Sequence, residues 1–355
     1  MHKIIAEDLE NIVRALGEEV QQLEGKTLLI SGGAGFLGSY FVGAIHLLNK
    51  DRLKNPCRII ILDNYITGSK DSFVHALAGQ HLRFIEADVT KPFAVDEPVD
   101  FIIHAAGLAS PAYYKKFPLE TIDAAIMGTR HLLELARNKK GASFLFFSSS
   151  EVYGDPDPAF LPTPEHYRGN VSCMGPRACY DESKRLAETV CVTYHEVHGV
   201  PVKIVRPFNV YGPGMKPNDY RVIPTFMMHA LAGKSLPVHN KGNQTRTFCY
   251  VTDAVAGFFK VLLMGKNGEA YNVGIDDAEV NMVTLANMIT DFFPQKIKVE
   301  LIGYPPSYPG DEPNRRCPDI TKARKLGYNP TVDLKSGLAR TLGWYRDTLS
   351  QTDVA

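Results

Sequence analysis

Short apolar runs alternate with helical patterns through the N-terminal half of the chain, and this alternation constrains the fold most. The runs are KTLLIS (26–31), RIIILD (58–63), HLRFIEAD (81–88), DFIIHAA (100–106) and SFLFFSSS (143–150). Apolar residues recur at helical spacing between most of them, as in 36–48 and 121–138. Strands that alternate with helices build crossover units and a parallel sheet with helices on both faces. PVKIVRPFNV (201–210) and AYNVG (270–274) read as further strands. After about residue 210, Pro and Gly become denser (YGPGMKPND, YPPSYPGDEP). A smaller, loop-rich lobe over the C-terminal edge of the sheet is therefore expected. Residues 5–24 read as one amphipathic helix, with Ile5, Leu9, Ile12, Val13, Leu16, Val20 and Leu23 on one face, packed outside the sheet.

Gly32, Gly35 and Gly38 follow the first run directly and open the next helical pattern. Glycines there let the backbone turn tightly and approach a pyrophosphate, while the helix N-terminus offers free N–H groups and a positive dipole end. Asp63 ends the second run, where a carboxylate can accept both hydroxyls of an adenosine ribose and repel a 2′-phosphate. NAD is thus favoured over NADP. The insertion NKDRLKNPCR lengthens the usual spacing between glycines and acid. The expected fold is α/β, a Rossmann-type doubly wound parallel sheet with a smaller, interleaved C-terminal substrate lobe. Its parts are an N-terminal extension (1–24), the dinucleotide domain (25–210, with 248–272 returning to it) and the substrate lobe (211–247 and 273–355). Expected cofactor contacts are Gly32, Gly35, Phe36, Leu37, Gly38, Asp63, Asn64, Thr67, Gly68, Asp88, Val89, Ala105, Ala106, Tyr180 and Lys184.

Tyr180 and Lys184 stand four apart in CYDESKRLAETV, hence on one helix face. An ammonium beside a phenol favours the phenolate and lowers its pKa from about 10. A bound nicotinamide cation would add to that, and the tyrosine becomes a base. Ser148, Ser149, Ser150 and Glu151 end the fifth run. Ligands of open parallel sheets sit outside the carboxyl ends of strands, so these residues are placed to meet a reacting alcohol. Serines at strand ends also cap backbone groups, and that role suits Ser148.

Composition closes other classes. Lys plus Arg equals Asp plus Glu at 39 each, with no basic stripe to hold a nucleic acid. The six cysteines form no Cys-x-x-Cys pair or metal-ligand cluster, so no metal is expected and the thiols read as reduced and cytoplasmic. No run approaches the roughly 20 apolar residues that span a bilayer, and acidic residues stand early where a signal peptide would be apolar. No membrane association is expected.

The chain resembles the extended short-chain dehydrogenase/reductases, the NAD-dependent nucleotide-sugar epimerases and dehydratases. Within them it is most like the UDP-glucuronate decarboxylases. HAAGLASPAYY, SSSEVYGDP, GNVSCMGPRACYDESKRLAET, RPFNVYGPGM, NDYRV, NQTRTFCYVTD and DEPNRRCPDITKA carry the likeness. The resemblance implies NAD, a UDP-sugar and a homodimer formed through helices at about 115–138 and 180–198. It implies catalytic roles for Tyr180, Lys184, Glu151, Ser150, Ser149 and Arg316. It further implies that Tyr114 and Arg316 lie near the sugar carboxylate, that Asn209 contacts the nucleotide sugar, and that Arg221 and Arg246 hold the uridine and diphosphate. Ser150 stands where the related dehydratases carry an acid for the departing hydroxyl, which argues against dehydration. Ser149, Gly107, Leu108, Ala125, Gly214, Pro224 and Thr225 depart from the decarboxylase pattern. Decarboxylation of UDP-glucuronate to UDP-xylose through a 4-ketone is therefore the leading expectation. A UDP-sugar (UDP-glucuronate) 4-epimerase is the first alternative, and a non-catalytic NAD-binding protein on the same fold is the second.

Overall fold

A computed structural model describes residues 1–77, 79, 81–139, 141–304 and 313–349. Seven strands form one sheet: β1 (Thr27–Ser31), β2 (Arg58–Asp63), β3 (Leu82–Glu86), β4 (Phe101–His104), β5 (Ser143–Phe147), β6 (Val202–Pro207) and β7 (Glu269–Val273). Their order is β7-β6-β5-β4-β1-β2-β3, and every pairing is parallel. The order reverses between β1 and β4, which opens a cleft outside their carboxyl ends.

The two faces of the sheet are covered by different helices, and the strand period of two sorts the side chains between them. Leu28, Ile30, Ile59, Ile61, Leu145 and Phe147 pack with α1 (Lys3–Ala15), α2 (Phe36–Asp51) and α5 (Val251–Met264). Leu29, Ile60, Leu62, Phe144, Phe146 and Ile204 pack with α3 (Pro118–Asn138) and α4 (Ala178–His198). Strands buried on both faces read as continuous apolar runs, which is why they stood out.

Residues 5–24 are not one helix. α1 stops at Ala15, Gly17 is extended (φ −90°, ψ −151°), and a 3₁₀ turn follows over Glu18–Leu23. The apolar spacing runs through the break because both pieces pack on the same core. The stretch around 248–263 returns to the main sheet as helix α5, and β7 behind it pairs with β6. Smaller strands lie over the carboxyl edge: Val280–Asn281, Thr245–Arg246 and Arg315–Arg316 in one sheet, Leu236–His239 with Val299–Ile302 in another. Most of the Pro- and Gly-rich string YPPSYPGDEP, and Asp311 and Glu312 of DEPNRRCPDITKA, lie outside the described residues. The last helix, α6 (Leu334–Thr348), packs back toward the first.

Candidate active site

A cavity of about 650 Å³ opens at the topological switch point. Gly32, Gly35, Phe36, Leu37, Gly38, Asp63, Asn64, Thr67, Asp88, Val89, Ala105 and Ala106 line it. Two glycines of its loop leave no room for a side chain. Gly32 has φ +76°, and a Cβ there would stand 2.7 Å from the Ala106 nitrogen. A Cβ at Gly38 would collide with the Gly32 carbonyl. Asp63 is buried and accepts the Ala34 N–H at 3.0 Å and the Tyr65 N–H at 2.9 Å. Burial raises its pKa, and those backbone donors oppose the rise. Each oxygen keeps a lone pair for a ribose hydroxyl. Gly68 packs behind this carboxylate rather than lining the cavity, since a Cβ there would meet Asp63 Oδ1 at 2.7 Å. A glycine cradle at a helix N-terminus, a carboxylate at the second strand end and this volume together fit a dinucleotide.

Tyr180 and Lys184 occupy one face of α4, both buried. Lys184 Nζ lies 3.6 Å from where a Cβ on cavity-lining Gly107 would stand. It donates to the Phe147 carbonyl at 2.8 Å and sits 5.9 Å from the centre of the Tyr180 ring. Burial lowers Lys184 to about 8 and pushes the Tyr180 phenol up to about 12. A hydrogen bond with Ser149 opposes the Tyr180 shift, and the Glu151 carboxylate adds to it. The lowering expected from Lys184 is thus opposed by burial. The ammonium is held by a carbonyl, and desolvation of the phenolate outweighs it.

Glu151 lies in the 3₁₀ turn Ser150–Tyr153 after β5, where Ser149 Oγ accepts its N–H at 3.2 Å. Its carboxylate receives both Arg316 terminal nitrogens at 2.6 Å and Arg177 Nη2 at 2.5 Å. Burial alone would raise Glu151, yet the two guanidiniums hold it well below the usual range. Arg177 also lies 3.5 Å from Asp181. Burial and the neighbouring Glu151 charge raise Asp181 to about 7, against Arg177. The Tyr114 ring stacks on Tyr180 with centroids 5.4 Å apart. Its hydroxyl, Asp181 Oδ1 and Arg316 Nε are buried without a hydrogen-bond partner among the described residues, so the cluster keeps polar atoms in reserve.

The remaining expected residues divide. Ser150 is buried beside Glu151. Arg221 lines the cavity, paired with Asp219. Asn209 adopts φ +43° and donates to the Thr247 carbonyl at 2.8 Å. Arg246 is buried and donates to the Pro313 and Thr245 carbonyls at 2.7 and 2.8 Å. It thus fastens backbone of the substrate lobe. Ser148 donates to Glu188, which also pairs with Arg206. Sequence reasoning missed Arg177 and Asp181, although both sit in the quoted GPRACYDE string at helical i, i+4 spacing. It also missed His104, whose Nδ1 lies 2.8 Å from Ser31 Oγ beneath the cleft, and which burial lowers to about 3.

Comparison with known proteins places these features in context. The profile of the NAD dependent epimerase/dehydratase family matches residues 28–274. UDP-glucuronic acid decarboxylase 5 of Arabidopsis thaliana is 43% identical over 312 residues, 88% of this chain and 86% of that one. A dTDP-glucose 4,6-dehydratase from Streptomyces venezuelae, solved with NAD bound, superposes with a TM-score of 0.78 at 28% identity, covering 90% of this chain and 97% of that one. A UDP-glucuronic acid 4-epimerase from Bacillus cereus, in complex with UDP-glucuronic acid and NAD, superposes at 0.75 with 26% identity, covering 91% and 100%.

Proposed function

We propose a function from the premise that this chain belongs to the NAD dependent epimerase/dehydratase family: it decarboxylates UDP-glucuronate to UDP-xylose in a redox-neutral cycle. NAD held in the cavity would supply the hydride acceptor for the sugar C4, and its nicotinamide charge would favour the Tyr180 phenolate. Gly32, Gly35 and Gly38 give the pyrophosphate its approach, and Asp63 takes the ribose hydroxyls. Tyr180 removes the proton of the sugar 4-hydroxyl, and Ser149, hydrogen-bonded to it, holds the same oxygen. The resulting 4-ketone stands β to the carboxylate. The C5–C6 electron pair can therefore flow to the C4 oxygen as carbon dioxide leaves; the enolate takes a solvent-derived proton at C5, and Tyr180 gives its proton back to the C4 oxygen when the ketone is reduced. Lys184 and Ser149 stabilise the oxygen anion.

The observation that carries this reading is the Arg177–Glu151–Arg316 cluster next to the Tyr180–Ser149 pair. Guanidinium forks bind carboxylates in two-point fashion, so Arg316 can receive the sugar carboxylate and Glu151 can release it to do so. Tyr114 and Ser150 complete the wall around the reacting carbons, and Arg221 and Asn209 are the proposed contacts of the UDP moiety. We also propose that a second copy covers α3 and α4, which expose Leu119, Ile122, Met127, Leu186 and Val197. Light scattering at the mass of two chains supports this, and one chain's mass rejects it.

The test is incubation with UDP-glucuronate followed by separation of the nucleotide sugars. A product lighter by one carbon dioxide supports decarboxylation. An isomer of unchanged mass selects the 4-epimerase, which would use the same Tyr180 and Lys184.

A further inference from the structure

Helix α1 precedes the dinucleotide fold, yet it reaches the cavity. His2 and Ile5 line the cavity wall together with Met215 and Trp344, the chain's only tryptophan. Beneath them lies Asp8, fully buried in α1. Its carboxylate accepts Arg340 Nη2 at 2.7 Å and Nε at 3.0 Å from α6, and the Tyr250 hydroxyl at 2.8 Å. The Tyr40 hydroxyl of α2 stands 3.4 Å from Asp8 and donates to the Pro213 carbonyl at 3.1 Å. Gly214 and Met215 follow Pro213 into the cavity wall, and the Tyr345 hydroxyl donates to the Met215 carbonyl at 2.9 Å. Tyr40 also meets Phe36 edge to face, at the mouth of the glycine loop.

One buried carboxylate therefore joins the first helix, the last helix, the helix that opens at the glycine loop, and the 213–215 loop. We infer that the Asp8–Arg340 ion pair is a latch that holds α1 and α6 as the outer wall of the cofactor cavity, and that this latch sets how long NAD is retained. The inference rests on the reading that the cavity holds NAD. Retention suits a redox-neutral cycle, in which the cofactor has no need to exchange between turnovers. Asp8 is the buried end of the pair, while Arg340 is partly exposed and also donates to Glu7 at 3.2 Å, so losing Arg340 leaves the Asp8 charge uncompensated in the interior and losing Asp8 frees α6 from its buried anchor. Asp8 and Arg340 do not touch the reacting atoms, so they act by positioning the wall.

Asp8→Asn and Arg340→Gln test this, with Arg340→Lys as a milder variant should either fail to fold. NAD dissociation is followed by Trp344 fluorescence and by nucleotide content after gel filtration. We expect dissociation at least tenfold faster and NAD-free protein after purification, with kcat at saturating NAD within twofold of the parent. The double variant should be no worse than the worse single. Folded variants that release NAD at the parent's rate would overturn the latch. So would a fall in kcat that saturating NAD does not restore. A parent protein that binds no NAD would instead sink the functional reading itself.

Discussion

The Glu151 carboxylate and the Arg316 guanidinium meet through two hydrogen bonds of 2.6 Å, across 165 residues of sequence. The turn after β5 and the short strand Arg315–Arg316 of the substrate lobe are thereby joined near Tyr180. Glu151 also binds Arg177, so two cations share one carboxylate and one cation can be lent to a substrate.

Arg316→Ala should lower kcat for carbon dioxide release by about 100-fold or more, the scale of losing a preorganised electrostatic group. It should also cost about 3 kcal/mol of stability, because a buried ion pair is broken. NAD content should stay at the parent's level. Steady-state kinetics, thermal melts and extracted nucleotide check the three parts, and a variant that keeps full decarboxylation removes Arg316 from the mechanism.

Tyr180→Phe should lower turnover by about 10²–10⁴-fold, the usual contribution of a general base, with substrate affinity little changed. Burial, with the Glu151 and Asp181 carboxylates, holds the Tyr180 phenol up near 12 against Ser149 and Arg221, so a nearby nicotinamide charge should lower it. The ultraviolet difference spectrum should therefore show the phenolate forming at lower pH when NAD is added. An identical titration with and without NAD would contradict this.

Asp181 and Glu151 link stability to pH in opposite senses. Asp181 is raised from 3.8 to about 7, so the stability that it contributes is full below pH 4 and is lost as pH rises to 7. Glu151 is lowered from 4.5, so its contribution is present above pH 4.5 and is lost on acidification. Asp181→Asn should therefore raise the melting temperature relative to the parent more at pH 8 than at pH 5. Equal differences at the two pH values would show that Asp181 titrates normally.

Gly38→Ala should abolish NAD retention, since its Cβ would collide with the Gly32 carbonyl inside the cradle. Gly32→Ala adds backbone strain at φ +76°, about 1–3 kcal/mol. Gly303→Ala, with nothing within 4 Å, is the control and should bind NAD as the parent does.

The sheet and the cofactor cradle were legible because their signals are local. β1, Gly32 to Gly38 and Asp63 fall within one crossover, and Tyr180 and Lys184 within one helical turn. Arg177 and Asp181 had a helical spacing too, but their meaning depends on Glu151, which another strand end delivers. The contacts of Arg246 with the Thr245 and Pro313 carbonyls were not legible, because backbone acceptors leave no letter in the sequence. The Asp8–Arg340 pair spans 332 residues, and Asp8 is one acid among several in α1. The desolvation that raises Tyr180 was not legible, because a four-residue spacing tells of proximity and nothing of burial.

The most direct test of the central claim uses UDP-glucuronate deuterated at C4, with protein to which no NAD has been added. The account predicts release of carbon dioxide and UDP-xylose that carries the deuterium at C4. Release of the deuterium to the medium or to free reduced cofactor, or a labelled product that keeps its carboxylate, would contradict it.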